Sequence, residues 1–318
     1  MKNKLILTLT LTASLLPALR AEEGGAGHYA PGATATAVDM LPGRETFAYA
    51  NMFTYYGGDA GASKPLKFGG LLAANVDATL YADTSFLLYQ TPWQKWGVGY
   101  AVGMAIPYAW VQIDASVQYT TPGGATVTRR ASDTQAGLGD IQLIPLMLGW
   151  TNGDFKAGGN FSVYAPTGEY EAGRLANTGR NYWTFEPALN FSWLSSKIGT
   201  EVTHFAGLDF NTKNDATDYQ SGTSLHLDGT IAQHLPLFGG FLGVGANGFY
   251  YQQISADSGS GATLGSFEGH TAGVGPVVNY VHKIGGHDFF VEAKWLPELE
   301  TEKRTRGDFV WVKAGIAF

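Results

Sequence analysis

Three glycines and seven histidines are the residues of this chain whose types and spacing could do chemistry. Gly243, Gly245 and Gly248 form a GxGxxG pattern, which cradles a pyrophosphate only where a helix follows a strand. No helical pattern follows here, and glycines are common where barrel strands bend. His226 and His234 share one strand face, but eight residues of strand separate them by roughly 26 Å. We therefore expect no nucleotide site, no metal site and no cofactor.

Hydrolytic chemistry has equally little support in the sequence. Neither HExxH nor GxSxG occurs, so the signatures of metalloproteases and serine hydrolases are absent. An integral barrel hydrolase, with a serine, a histidine and a polar orienter at the outer lipid interface, is the enzymatic alternative. His204, His270 and Ser266 lie near predicted loops, yet their spacing does not assemble them into a triad. We expect no catalytic residue and no enzymatic activity.

The chain contains few charged residues, but it is not strongly hydrophobic overall. Charged residues make up 15% of the sequence and cysteine is absent, whereas about 25% charged residues is usual. Without disulfides, an exported chain needs a closed hydrogen-bonded sheet for its stability. Beyond residue 21 there are 17 basic and 27 acidic residues, a net charge of −10, which disfavours nucleic acid as a partner.

The N-terminus reads as an export signal. Lys2 and Lys4 precede an apolar run that ends at Leu16, and this run is too short to span a membrane. Cleavage after Ala21 gives a signal peptide over 1–21 and a segment over 22–45, which we call the N-terminal segment. It has no strand period and is rich in Gly, Ala and Pro. We expect either a plug that enters the barrel lumen or an untethered periplasmic tail.

From residue 46 to residue 318 the pattern predicts an all-β fold, a transmembrane antiparallel up-and-down barrel of about 12 strands. Connections alternate between short and long, as periplasmic turns and extracellular loops do. A soluble β-sandwich is the alternative, and it does not explain this alternation. The predicted strands lie near 46–57, 69–90, 97–119, 135–150, 154–166, 181–194, 197–210, 220–235, 239–254, 266–282, 287–297 and 307–318.

Tryptophan supports the membrane assignment. Seven of the eight tryptophans fall at strand ends, where amphipathic rings form girdles at headgroup level. Those at the predicted periplasmic ends are Trp93, Trp96, Trp150 and Trp193, and those at the extracellular ends are Trp110, Trp183 and Trp295. We expect outer-membrane lipid to be a partner of the chain.

Alternation along the strands predicts which side chains point into the lumen. Strand six is the clearest, with Leu189 toward lipid and Glu186 and Asn190 inward. The phase fails in two places: strand four is apolar on both faces, and strand three changes phase near Tyr108–Val111, where we expect a β-bulge. The predicted lumen-lining residues are Lys156, Asn160, Glu186, Asn190, Glu201, Asp209, His226, Asp228, Glu292, Lys294 and Lys313. Their mixed charge either pairs internally or serves transport.

The last strand ends on Phe318, with apolar residues at every second position before it. This alternation resembles the C-terminal signal by which outer-membrane barrels are recognised for insertion. We therefore expect the barrel-assembly machinery to be a partner through this strand. An unclosed barrel would leave backbone groups of the first and last strands in hydrocarbon, at several kcal/mol each.

Several motifs resemble one family over almost the whole mature sequence. They are GHYAPG at 27–32, TPW at 91–93, GLGD at 137–140, the long block YAPTGEYEAGRLANTGRNYWTFEPALNFSW at 164–193, DFNTKNDATDY at 209–219, and YQQ with DSGSGA within 251–262. The chain is similar to the outer-membrane proteins of the meta-pathway of phenol degradation, the SphA-like group. The resemblance implies a transporter-like barrel in the outer membrane of a Gram-negative bacterium.

The family resemblance also predicts a function for the chain. The resemblance implies uptake of small aromatic or hydrophobic compounds, and it carries no catalytic residues. The competing hypothesis is a structural or surface-recognition barrel with a closed lumen. The loop over 167–180 carries Glu169, Glu171, Arg174 and Arg180, whose charges either fold it over the mouth as a gate or form a solvated rim.

Overall fold

The computed structural model describes residues 27–120, 124–265 and 268–318. The predicted signal peptide therefore lies outside the described residues. Over the described part the chain is nearly all β, with one 3₁₀ turn at Ala37–Asp39 and no α-helix. Among the described residues, no helix is long and apolar enough to cross a membrane.

Fourteen strands form one antiparallel sheet that closes on itself. Their bounds are β1 Thr46–Ala60, β2 Leu66–Phe68, β3 Leu71–Lys95, β4 Val98–Thr120, β5 Thr126–Leu138, β6 Ile141–Asn152, β7 Phe155–Ala165, β8 Thr184–Leu194, β9 Thr200–Asn211, β10 Ser224–Leu237, β11 Gly240–Gln253, β12 His270–Ile284, β13 His287–Glu302 and β14 Arg306–Ala317. β1 closes the barrel by pairing with β14 from Ala48–Ala317 to Asp59–Arg306.

The fourteen strands occupy twelve positions around the barrel wall, which confirms the predicted fold class. β2 is a short strand on the outer end of β3. β5 and β6 together form the fourth wall position, because β5 pairs with the outer half of β4 and β6 with its inner half. The predicted loop after strand three is therefore shorter than expected, since the strand that follows begins at Thr126 rather than near residue 135.

The predicted bulge near Tyr108–Val111 is wrong. The pairing of β4 with β3 and β5 is continuous there, and odd-numbered residues point inward throughout. The apparent change of phase arises because Val111 and Ile113 are apolar side chains on the inner face. The bulge lies instead in β6, where the register with β7 shifts between Leu143 and Leu146. This shift lets both leucines face outward and explains a strand that reads as apolar on both faces.

The outer surface carries mainly apolar side chains, whereas many of the buried inner side chains are polar. Leu189 is 71% exposed, whereas the neighbouring inward residues of β8 include Thr184 at 0% and Ser192 at 2%. A soluble protein would bury Leu189 and expose the hydroxyls. This inversion matches a barrel surrounded by lipid.

The connections alternate in length nearly as predicted. Turns at one end contain two to five residues, whereas the connections at the other end are long, such as those over 166–183, 212–223 and 254–269. Two connections at that end are exceptions, because residues 121–125 join β4 to β5 and residues 303–305 join β13 to β14. By the usual asymmetry of such barrels, the long connections form the outer end.

Candidate functional site in the barrel lumen

The described part of the N-terminal segment, residues 27–45, passes through the barrel and bonds to strands around its circumference. Near one end, the Gly43 N–H donates to Gln90 Oε1 on β3 at 2.9 Å. Near the other, His28 contacts Thr184 on β8. Because these partners belong to inward faces of the wall, the segment occupies the lumen.

A cluster of two carboxylates and two lysines holds the middle of the segment. We call Asp39, Glu292, Lys294 and Lys313 the lysine cluster. Glu292 lies 3.4 Å from the Lys294 ammonium and 3.2 Å from that of Lys313, which also contacts Asp39. Glu292, Lys294 and Lys313 are 2–5% exposed. The formal charges of the four groups sum to zero. Buried charges are tolerated only when they are paired in this way.

The same cluster satisfies the backbone of the segment. Lys294 Nζ donates to the carbonyl oxygens of Gly32 at 2.9 Å and Thr34 at 2.8 Å. The Thr36 hydroxyl donates to Glu292 at 2.6 Å. An extended segment without a strand partner needs such bonds, because buried backbone groups left unpaired are costly.

A second cluster lies on β8, β9 and β10. We call Glu186, Asp209 and His226 the histidine cluster. His226 Nε2 lies 3.5 Å from Glu186 Oε1 and 3.7 Å from Asp209 Oδ1, and one ligand atom of each lies within 4.8 Å of the others. Asp209 and His226 are 2% and 4% exposed. Across the described residues, no lysine or arginine forms an ion pair with either carboxylate.

Two aromatic residues of the wall and of the segment border the histidine cluster. The Tyr29 ring stacks on His226 with centroids 4.2 Å apart, and the Tyr29 hydroxyl donates to Asp228 at 2.8 Å. From the other side, the Tyr164 hydroxyl donates to Glu186 Oε2 at 2.7 Å. The segment thus covers the cluster directly.

Asp140 joins the segment, the break between β5 and β6, and the long loop over 166–183. Its carboxylate contacts His28 Nε2 at 2.8 Å and accepts from the backbone N–H groups of Gly168 at 2.9 Å and Arg180 at 2.7 Å. The His28 ring also stacks on Tyr164 at 4.8 Å. The GHYAPG and GLGD motifs therefore meet in space through His28 and Asp140.

The other predicted lumen residues also face inward. Glu201 accepts from the Ala37 N–H at 2.6 Å and contacts His234 at 2.6 Å. Lys156 donates to the Leu41 carbonyl at 3.1 Å, and Asn190 lies beside the same stretch. Asn160 donates to Ser162 at 3.2 Å. Most of these polar groups bond to the segment or to the wall.

An apolar cavity of about 130 Å³ lies at the outer end of the lumen. Its walls come from β1, β2, β3 and β4 and from the loop over 166–183. The apolar lining includes Phe68, Leu80, Val111, Ile113 and Leu175. The inward Val111 and Ile113 that obscured the phase of β4 are thus cavity residues.

The loop over 166–183 is held to β5 rather than by pairing among its own charges. Arg174 contacts Asp133 through two nitrogens, at 2.7 and 3.2 Å, and this hydrogen bonding raises the pKa of the Arg174 guanidinium. Glu169 accepts from Gln135. The Glu171 side chain is exposed, and Arg180 reaches the Gly27 carbonyl at 3.5 Å.

Sequence reasoning missed His28, Tyr29 and Asp140 as contact residues of the lumen. None lies on a strand with a readable alternation, since His28 and Tyr29 precede β1 and Asp140 interrupts β5 and β6. The signal that could have found them was the pair of motifs GHYAPG and GLGD, whose polar members had no assigned role.

Comparison with known proteins assigns the family. The family model described as "Putative MetA-pathway of phenol degradation" matches residues 57–314. The chain belongs to this family. The resemblance read from its motifs is thereby confirmed. No curated protein sequence matches the chain.

Solved structures share the fold at low sequence identity. The COG4313 outer membrane channel from Pseudomonas putida F1 is 13% identical, with a TM-score of 0.66 over 87% of this chain and 97% of that chain. The β domain of the Bordetella autotransporter BrkA is 12% identical, with a TM-score of 0.47 over 86% of this chain and 99% of that chain. The similarity to the first structure supports the barrel fold. The similarity to the second is too low to support a conclusion.

Proposed function

We propose that the chain is an outer-membrane channel for small aromatic or hydrophobic solutes and that its N-terminal segment closes it. The observation that carries the proposal is the apolar cavity at the outer end of the lumen. The family and the barrel fold support the channel class. No residue is assigned a catalytic role.

The cavity chemistry favours solutes with a small apolar face. Leu80, Val111, Ile113 and Leu175 present hydrocarbon, whereas Arg180 and Asn177 add polar groups at its edge. Ligand sites commonly combine apolar walls with a few polar groups that orient the ligand. Phenol has this mixed character, which makes it a suitable probe.

Uptake into liposomes tests the solute class. In a variant that lacks residues 22–44, Ile113→Asp places a charge in the cavity and should reduce phenol uptake by about tenfold, which corresponds to a barrier increase of roughly 1.4 kcal/mol. Ile113→Val keeps the wall apolar and should leave uptake within about twofold. Equal uptake by both variants would contradict a route through this cavity.

Closure by the N-terminal segment can be tested with two glycines that both have positive φ, Gly32 at 75° and Gly43 at 79°. A Cβ at Gly32 would lie 2.0 Å from Leu296 Cδ1, whereas one at Gly43 would meet its nearest atom, Thr151 Oγ1, at 3.5 Å. Gly32→Val should therefore displace the segment and increase uptake, whereas Gly43→Val adds similar backbone strain with less crowding.

The filled lumen also supports the alternative of a closed structural or recognition barrel. In that case neither Gly32→Val nor removal of the segment would produce solute flux. Small-aromatic uptake by the displaced variant therefore separates the two functions.

Export and assembly belong to the same proposal. The predicted signal peptide and outer-membrane location require passage through the periplasm, and Phe318 would present the final strand for insertion. The Phe318 N–H donates to the Phe47 carbonyl at 2.9 Å, and its ring is 50% exposed on the outer surface. Deleting Phe318 should sharply reduce the heat-modifiable, membrane-inserted protein, whereas normal insertion would count against this role.

A further inference from the structure

The histidine cluster differs from an ordinary buried ion pair because its facing atoms are not satisfied. Asp209 Oδ1 and both ring nitrogens of His226 are buried and have no hydrogen-bond partner among the described residues. Both residues are more than nine-tenths buried. Buried polar atoms in folded proteins are nearly always partnered, so this group calls for a further ligand.

The geometry suits a metal ion. A first-row divalent ion binds imidazole nitrogen and carboxylate oxygen at about 2.0–2.2 Å, so ligand atoms around a tetrahedral ion lie about 3.3–3.6 Å apart. His226 Nε2 lies 3.5 Å from Glu186 Oε1 and 3.7 Å from Asp209 Oδ1. The largest separation among the three is within 4.8 Å, which a small side-chain movement would close.

The surrounding residues orient the ligands. Tyr164 donates to the second oxygen of Glu186, and Ser224 donates to the second oxygen of Asp209 at 3.1 Å. Hydrogen bonds of this kind leave one carboxylate oxygen directed at the ion. Gly207, opposite His226 on β9, makes room for the ring, since a Cβ there would lie 2.4 Å from Nε2.

We propose that Glu186, Asp209 and His226 bind one divalent transition-metal ion beneath the N-terminal segment. Two carboxylates and a neutral imidazole carry a formal charge of −2, which the ion balances. One nitrogen and two oxygen ligands suit zinc, manganese, iron or cobalt, whereas copper(I) prefers thiolates or thioethers. Because Tyr29 stacks on His226, a bound ion would hold the ring on which the segment rests.

A proton is the competing occupant. An imidazolium between the two carboxylates would also balance charge, but at the observed separations neither of its N–H groups has a hydrogen-bond partner among the described residues. Nε2 ligation by a metal removes one of these unsatisfied groups. A proton competes less with the metal as the pH rises, so binding is tested at about pH 8.

Cobalt provides a direct readout that does not depend on transport. The full-length protein is stripped with chelator and refolded in detergent at about pH 8 by two routes, with Co²⁺ present during refolding or with Co²⁺ added afterwards. By either route it should bind one Co²⁺ per chain and show visible d–d absorption. Zn²⁺ should displace it. His226→Gln and Glu186→Gln should each weaken Co²⁺ binding by roughly 100-fold or more, because each removes one of three ligands.

The matched control is His204→Gln, which removes an exposed histidine on the outer face of β9 and should leave the absorption unchanged. Heat modifiability on gels shows whether each variant has folded. Absence of the band in the folded full-length protein after both refolding routes would overturn the proposal. Equal binding by folded His226→Gln and full-length protein would also overturn it.

Discussion

The lysine cluster and the histidine cluster are both buried in the lumen and both touch the N-terminal segment, but their charges are balanced differently. In the lysine cluster, two ammonium groups face two carboxylates, and Lys294 also donates to the carbonyls of Gly32 and Thr34. In the histidine cluster, two carboxylates face one imidazole, and three of the buried polar atoms lack a hydrogen-bond partner among the described residues.

The difference shows that similar burial can serve two purposes. The lysine cluster is complete within the chain, so it acts as a structural seat for the segment. Within the described residues, the histidine cluster leaves buried atoms unsatisfied, which the proposed metal ion would complete. Variants that disturb the two clusters should therefore differ in size and in their response to metal.

Breaking the lysine cluster should have the largest effect. Lys294→Met leaves Glu292 with one lysine and frees two buried carbonyls, and removal of one partner of a buried pair costs about 3–5 kcal/mol. Urea unfolding in lipid vesicles measures this loss.

The double variant Glu292→Gln/Lys294→Met keeps Asp39 and Lys313 as a balanced pair. It should lose less stability than the sum of the two single variants. Strict additivity would contradict a coupled cluster.

Tyr29→Phe should have an intermediate effect, because it removes one of two bonds to buried Asp228 while the Gly32 N–H keeps the other. We expect a loss of about 1 kcal/mol. Tyr49→Phe is the control, since that hydroxyl is exposed and lies 3.3 Å from Ser85. Equal urea midpoints for the two variants would show that Tyr29 does not anchor the segment.

Asp209→Asn should have a small effect in chelator. It relieves repulsion with Glu186 and retains an acceptor for Ser224, so we expect a change at least about 2 kcal/mol smaller than that of Lys294→Met. The same urea titration with Zn²⁺ should stabilise the unmodified protein but not this variant, because a ligand that binds the folded state raises its stability. Stabilisation of both would place the zinc elsewhere.

Disrupting an exposed ion pair should have the smallest effect on stability. Lys213 lies 2.9 Å from Asp218 in the loop over 212–223, and the Ser260 hydroxyl and Lys213 hold the pKa of Asp218 below its usual range. Both groups are solvated, so Lys213→Met should leave the urea midpoint unchanged. A measurable loss would mean that charge pairs in this protein matter regardless of burial.

The sequence predicted the barrel well because alternation and loop length repeat along the whole chain. Glu186 and Leu189 occupy opposite faces as their parity requires. The histidine cluster was beyond that reasoning, because its members are 23 and 17 residues apart along the chain and come together only through the registers of β8, β9 and β10. A single histidine pair, His226 and His234, gave no indication of it.

The irregular regions were less predictable for physical reasons. Polar alternation cannot identify an apolar patch inside a barrel, so Val111 and Ile113 suggested a bulge where there is a cavity. The N-terminal segment has no period, and its choice between lumen and periplasm depends on partners such as Lys294 that lie more than 250 residues away.

Single-channel conductance in planar bilayers tests most directly whether the N-terminal segment closes the lumen. The full-length protein should be closed for most of the recording, whereas a variant lacking residues 22–44 should insert normally and show sustained conductance. Equal conductance from the two proteins, with both correctly folded, would contradict closure by the segment.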